Sequence, residues 1–214
     1  MLENTFTMKQ INKILSEHTP SPEGTYRYSA VLIPLFEIEN EIHILFCKRA
    51  MTLKSQPGDV CFPGGRREGD EGLQETALRE TWEEIGVSPD NVEILGASDY
   101  VVTSYGSIIM PFVGLITGIT IEDLKINFEE VDEIFTVPLN YFLTCEPEEH
   151  PINIIFDVPD NFPFEHIVGG KNYAWGKGRH PELFYFYGGQ VIWGFTARVI
   201  RNFCKIIKNF NWEE

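Results

Sequence analysis

The sequence predicts a mixed α/β fold in one domain, and three observations carry that prediction. Two β-rich runs, YSAVLIPLFEI (28–38) and EIHILFCKR (41–49), meet at a polar Glu39-Asn40 turn and read as paired strands. Helical periodicity marks a glycine-bounded stretch, 72–85, and a closing helix at about 193–210. No internal repeat, low-complexity tract or long linker divides the chain, so residues 1–214 are expected to share one core.

The elements follow in order. Residues 6–17 carry Phe6, Ile11 and Ile14/Leu15 at helical spacing before TPSPEGT (19–25) breaks the chain. After the two strands, a glycine- and proline-bearing loop, SQPGDVCFPGGRREGDEG, leads into the 72–85 helix. Strand-like runs at 92–102 and 107–117 are separated by TSYG, and a short strand or turn precedes VDEIFTVPLNYFL (131–143). In that segment the apolar spacing and Pro138 predict a strand turning into a short helix. NIIFDV and LFYFYGG read as strands. The closing helix sets Val199, Ile200, Phe203, Ile206, Ile207 and Phe210 on one apolar stripe, opposite Arg198, Arg201, Lys205 and Lys208.

Composition excludes several classes. With 17 Lys+Arg against 32 Asp+Glu the net charge is −15, which argues against non-specific binding to nucleic acid or an anionic membrane. A small anionic substrate remains compatible if positive charge is concentrated locally. Cys47, Cys61, Cys145 and Cys204 form no C-x-x-C pair and read as reduced, buried thiols. The N-terminal stretch lacks the apolar core of a signal peptide, and the longest apolar run, IIMPFVGLITGI, is too short to span a bilayer. The expectation is a cytoplasmic protein without membrane partner, with room for a homodimer.

RETWEEIG (79–86) raises a physical question. On a helix Glu80, Glu83 and Glu84 stand at i, i+3 and i+4, where like charges repel. They also crowd the last turn, where the dipole disfavours negative charge. Gly72 with Glu75 three residues on marks the helix start, and Gly86 suits its left-handed end. A helical wheel puts Ala77, Leu78, Thr81, Trp82 and Ile85 on the core-facing arc and the three glutamates on a solvent-facing one. Arg79 can pair with Glu75 or Glu83 but cannot neutralise three carboxylates. A divalent cation can, and hard oxygen ligands at this spacing suit Mg²⁺ or Mn²⁺.

These residues resemble a family. Gly65, Glu71, Arg79-Glu80, Glu83-Glu84 and Gly86-Val87 reproduce the Nudix box, G-x5-E-x7-R-E-U-x-E-E-x-G-U, over residues 65–87. Thr81 stands where a bulky aliphatic is usual. The resemblance implies an α/β/α sandwich around a mixed β-sheet and hydrolysis of a nucleoside diphosphate linked to another moiety, with Mg²⁺ or Mn²⁺. It implies Glu80 and Glu84 as principal metal ligands, Glu83 in the metal shell, and the Gly64 and Gly65 backbone nearby. Arg79 would orient the carboxylates and Glu71 would hold the loop. The general base is either a box glutamate or a downstream acid, for which Glu130 is placed, with Glu129 beside it.

Upstream, LFCKRAMTLKSQPGDVCFPGG (45–65) resembles the added signature of the coenzyme A pyrophosphatase branch. Leu45, Gly58, Val60, Phe62, Pro63, Gly64 and Gly65 match, Lys54 replaces the usual arginine, and Phe46, Cys47 and Ala50 depart from the pattern. Lys48, Arg49, Lys54, Arg66 and Arg67 form a basic island around one anion, Asp59, so Arg49, Lys54, Arg66 and Arg67 are candidate phosphate contacts. A second basic loop, GGKNYAWGKGRH (169–180), offers Tyr173 and Trp175 for stacking, or is an ordinary surface loop. Coenzyme A is the expected substrate. The alternatives are an ADP-ribose or dinucleoside-polyphosphate pyrophosphatase, or a Nudix-fold module that senses a nucleotide without cleaving it.

Overall fold

The computed structural model describes residues 6–210. In chain order its elements are α1 (Met8–Glu17), β1 (Arg27–Ile38), β2 (Glu41–Arg49), β3 (Val60–Cys61), β4 (Gly64–Arg66), α2 (Leu73–Ile85), β5 (Val92–Ala97), β6 (Val101–Val102), β7 (Ser107–Ile116), β8 (Val131–Pro138), α3 (Leu139–Thr144), β9 (Glu148–Ile154), β10 (Gly178–Tyr187), β11 (Gln190–Trp193) and α4 (Gly194–Asn209).

Central in the main sheet is β1, paired antiparallel with β2 and parallel with β7, which makes the sheet mixed. The β1–β2 connection turns through Glu39 and Asn40, both at positive φ (51° and 64°), the conformation a two-residue hairpin turn requires. Beyond β2 lie β3 and β8, and beyond β7 lie β5 and β6. Between β1 and α2, β4 adds three residues antiparallel to β1. A second, three-stranded antiparallel sheet runs β9, β10, β11.

Continuous apolar runs in β1 and β2 reflect burial on both faces. Ala30, Leu32 and Phe36 of β1, with Leu45 and Cys47 of β2, pack on Ala77 and Ile85 of α2. The alternate residues Val31, Ile33, Leu35, Ile44 and Phe46 pack toward Phe142 of α3, Tyr185 of β10 and Ile200 of α4. The mixed sheet is thus covered by α2 on one face and by α3, α4 and the small sheet on the other, the layered sandwich expected.

Several expectations need correction. Trp82 is 58 % exposed, and Glu84, expected in solvent, is only 5 % exposed. With about 100° per residue, Glu84 projects about 20° from Ala77, on the side away from Thr81, while Trp82 lies about 140° from Ala77. The buried arc is therefore centred on Ala77, Thr81 and Glu84, not on Leu78 and Trp82. The 92–102 run is two strands, broken at residues 98–100. NIIFDV extends no strand past Ile154; the strand lies earlier, over Glu148–Ile154, because its partner β10 pairs with that segment. On α4, Val199, Ile200 and Phe203 are buried, whereas Ile206 and Phe210 are exposed. The N-terminal helix starts at Met8 behind a Thr7/Gln10 capping box, and its apolar residues are exposed. All four cysteines are free, but only Cys47 and Cys204 are buried; Cys61 and Cys145 are partly exposed. No helix among the described residues is long and apolar enough to cross a membrane.

Candidate active site

The site is built where β4, the loop after it and α2 are laced together. The chain enters through Phe62, buried in the core, and Pro63, whose carbonyl accepts a bond from Leu32 N at 2.9 Å. Pairing of Ala30 with Gly65 and Val31 with Gly64 then sets the two glycines against β1. A Cβ on Gly65 would fall on the Glu80 carboxylate. One on Gly64, which sits at φ +153°, would stand 2.6 Å from Val31 Cα. Only glycine lets the backbone come this close to the helix carboxylates.

Glu71 fixes the loop. Its Oε1 accepts bonds from Glu68 N at 2.8 Å and Thr76 Oγ1 at 2.9 Å. Arg79 grips it with a fork, Nε to Oε2 at 3.1 Å and NH2 to Oε1 at 3.0 Å. The Arg79 bond and the Glu68 N–H hold the Glu71 carboxyl down at about 2. The same guanidinium reaches Glu83 Oε2 at 3.0 Å, Glu80 Oε1 at 2.9 Å and the Arg66 carbonyl at 3.0 Å. Arg79 does not pair with Glu75, whose Oε2 instead accepts from Gly72 N at 2.7 Å and caps the helix. At the other end Gly86, at φ 73°, donates to the Trp82 carbonyl.

Glu84 lies deepest, with Oε2 accepting from Gly64 N at 3.3 Å. Its pKa is pushed up to about 8, first by burial and then by the charges of Glu80 and Glu130; the Gly64 N–H and Arg49 act against this. Glu80 is also raised, chiefly by burial, with Arg79 opposing. Glu130 arrives on a loop bonded to the end of α2: Lys125 N donates to the Ile85 carbonyl at 3.0 Å and Asn127 N to the Glu84 carbonyl at 2.9 Å. The Glu130 carbonyl in turn accepts from Ala50 N at 2.9 Å. This strap of residues 124–131 places the downstream acid beside the helix pair. The short-range sequence pattern carries no sign of those bonds.

Among the described residues, no three His, Cys, Asp or Glu side chains converge on one point in the arrangement a metal ion would need. Arg79 holds Glu80 and Glu83 at its own guanidinium. A cation would have to win them from it. The donor chemistry nevertheless fits one: Glu80 and Glu84 are each raised by burial without full compensation, and hard carboxylate oxygens suit a small divalent ion.

Two cavities flank these carboxylates without being lined by them. One, of about 660 Å³, is reached through Arg49 and Cys61, both of which interact electrostatically with Glu84. Burial, then the Glu84 charge, pushes the Cys61 thiol up to about 12. The second, of about 300 Å³, is lined by Arg27, Tyr28, Arg67, Gly69 and Arg66, the residue after Gly65. The structure therefore divides the basic island. Arg49 faces the larger cavity, Arg66 and Arg67 the smaller, Lys48 pairs with Glu133 at 3.6 Å, and Lys54 is exposed on the 50–59 loop. Tyr173 and Trp175 pack on each other, and Trp175 also on Phe156 and Phe162, as a local aromatic cluster.

The glycine strand β4 is laid over two helix carboxylates, with an arginine-locked loop between them. The chain belongs to the Nudix family: the NUDIX domain model matches residues 25–153. It is 42 % identical over 113 residues to Nudix hydrolase 3 of Caenorhabditis elegans, covering 52 % of this chain and 47 % of that protein. It is 38 % identical over 115 residues to the peroxisomal coenzyme A diphosphatase NUDT7 of Mus musculus, covering 53 % and 48 %. The chain thus spans about half the length of these two relatives. With an uncharacterized Nudix hydrolase NudL of Pectobacterium atrosepticum it is 31 % identical over 180 residues, 84 % of this chain and 82 % of that one.

Proposed function

We propose that the chain hydrolyses the diphosphate of coenzyme A, or of a coenzyme A derivative, to adenosine 3′,5′-bisphosphate and 4′-phosphopantetheine. The observation that carries this reading is that Arg49, from the 45–65 segment, lines the 660 Å³ cavity and interacts electrostatically with Glu84. The likeness to a coenzyme A diphosphatase over 115 residues supports it. Family members that cleave pyrophosphate bonds generally need a divalent ion.

Glu80 and Glu84 would hold Mg²⁺ or Mn²⁺, with Glu83 contributing. Such an ion offsets diphosphate charge and makes water a nucleophile at neutral pH. The chain's own groups do the rest. Arg79 keeps the carboxylates in place through Glu71, and the Gly64 N–H fixes the Glu84 rotamer. Glu130, beside Glu84, takes the proton of the attacking water. Arg49 and Lys54 provide charge-assisted bonds to the diphosphate.

The test is incubation of the protein and Mg²⁺ with coenzyme A, ADP-ribose and diadenosine tetraphosphate at equal low concentration, with products weighed by mass spectrometry. Coenzyme A should be cut fastest, into the two named products. Faster cleavage of ADP-ribose or the dinucleotide would favour the alternative pyrophosphatase reading. No cleavage of any of them would favour a sensing module.

A further inference from the structure

The three arginines of the smaller cavity come from two distant parts of the chain. Arg27 and Tyr28 open β1, and Arg66 ends β4 with Arg67 just after it. The antiparallel register Ser29↔Arg66, continued by the bond from Arg67 N to the Tyr28 carbonyl at 3.0 Å, brings the two pairs to one strand end. Arg27 is anchored by a bond from NH2 to the Tyr105 carbonyl at 3.3 Å, and Arg67 by Nε to the Glu71 carbonyl. Each guanidinium has five N–H donors, so these anchors leave most of them for a ligand. The cavity of about 300 Å³ is lined by three cations, one partly exposed tyrosine ring and no carboxylate. In a chain of net charge −15, such a concentration of positive charge is a local exception.

The larger cavity has the opposite character. Arg49 and Arg198 in its wall are balanced by Asp59 and Glu182, and Trp193 and Ile154 add apolar surface. Trp193 Nε1 donates to Asp59 Oδ1 at 3.3 Å, so part of that charge is already satisfied. Charge complementarity assigns a dianion to the first cavity and a neutral arm to the second.

We infer that Arg27, Arg66 and Arg67, with Tyr28, bind a phosphomonoester on the nucleoside half of the substrate, separate from the diphosphate that is cleaved. This rests on the proposed function, since coenzyme A carries such a group as its 3′-phosphate. Tyr28 offers its ring to the base, and the pantetheine arm runs into the 660 Å³ cavity past Arg49. Arg27 is the residue that tests the site most cleanly, because it belongs to neither the box nor the 45–65 signature.

Two measurements test it. The first compares kcat/KM for coenzyme A and for dephospho-coenzyme A in wild type, Arg27→Ala and Arg27→Lys. Wild type should prefer coenzyme A by about tenfold or more, as expected for one charge-assisted contact. Arg27→Ala should lose most of that preference, and Arg27→Lys should retain part of it. The second is calorimetric titration of the metal-free wild-type protein with adenosine 3′,5′-bisphosphate and with adenosine 5′-monophosphate. The bisphosphate should bind about tenfold more tightly or better. If coenzyme A is cleaved with no preference over its dephospho form, the inference falls and the proposed function stands. A preference that survives Arg27→Ala, or an equal loss on both substrates, also overturns it. If coenzyme A is not cleaved, the proposed function fails, and equal binding of the two nucleotides would overturn the arginine site as well.

Discussion

Arg79 holds Glu71 by two parallel hydrogen bonds, Nε to Oε2 at 3.1 Å and NH2 to Oε1 at 3.0 Å, across eight residues of the chain. That fork ties the glycine-bearing loop to α2, with Glu80 sharing the same NH2 and Glu83 taking the remaining nitrogen, NH1. Because Glu71 sits at about 2, below its ordinary 4.5, the pair stabilises the fold above about pH 5 and is lost as pH falls toward 2. Glu71→Gln should lower the melting temperature by a constant amount between pH 5 and 7 (roughly the window where Glu71 is charged in both folded and unfolded chain). The gap should close as pH falls toward about 2. A gap unchanged down to that pH would mean the ion pair is not what the variant removes.

Metal should act on stability as well as on rate. Binding to the folded state alone raises the melting temperature by mass action, so millimolar Mg²⁺ or Mn²⁺ should do so here. Glu84→Gln should remove most of the rise, since Glu84 is the buried carboxylate of the proposed metal pair. A wild-type melting curve indifferent to both ions would contradict the metal assignment.

The two glycines of β4 should fail in different ways. Gly64→Ala forces a Cβ toward Val31 Cα at φ +153°, so it should cost about 1–3 kcal/mol of stability. Gly65→Ala meets only the end of the Glu80 side chain, which can swing away. It should leave the melting temperature nearly unchanged while lowering kcat, because Glu80 is displaced. Denaturant melts and kinetics on both variants separate the two effects, and equal destabilisation would mean that the Glu80 carboxylate has nowhere to go.

Helix α2 allows a direct check of its phase. Trp82→Ala, at a residue 58 % exposed, should change stability by less than about 1 kcal/mol, whereas Ile85→Ala, fully buried, should cost about 2–5 kcal/mol. A Trp82 variant as damaging as the Ile85 one would return the core to the Leu78/Trp82 side.

What was legible in the sequence is what local pattern dictates. The β1–β2 hairpin, the bounds of α2 and the strand-to-helix turn at Pro138 follow from turn residues, caps and periodicity over a few positions. The box residues carried the site's chemistry for the same reason. The phase of α2 was misread because hydrophobicity alone pulls the buried arc toward Leu78 and Trp82. Glu84 breaks that rule by entering the core side under the Gly64 N–H, a local violation of the kind found at functional sites. Strand β9 was misplaced because its residues are all exposed and only pairing with β10 defines it. Arg27 escaped notice because nothing within its neighbourhood signals a partner; the β1–β4 register does that from more than thirty positions away.

Glu84, buried beneath β4, is the carboxylate on which the proposed diphosphate cleavage depends. The most direct test is kcat for coenzyme A hydrolysis at saturating Mg²⁺ in Glu84→Gln and Glu75→Gln, each with its melting temperature. Glu75 is on the same helix, but its carboxylate is spent on the Gly72 N–H, a bond that glutamine can also accept. Glu84→Gln should lower kcat by about 100-fold or more with the fold retained, and Glu75→Gln by less than about threefold. Equal losses in the two variants, or full activity in Glu84→Gln, would contradict the account.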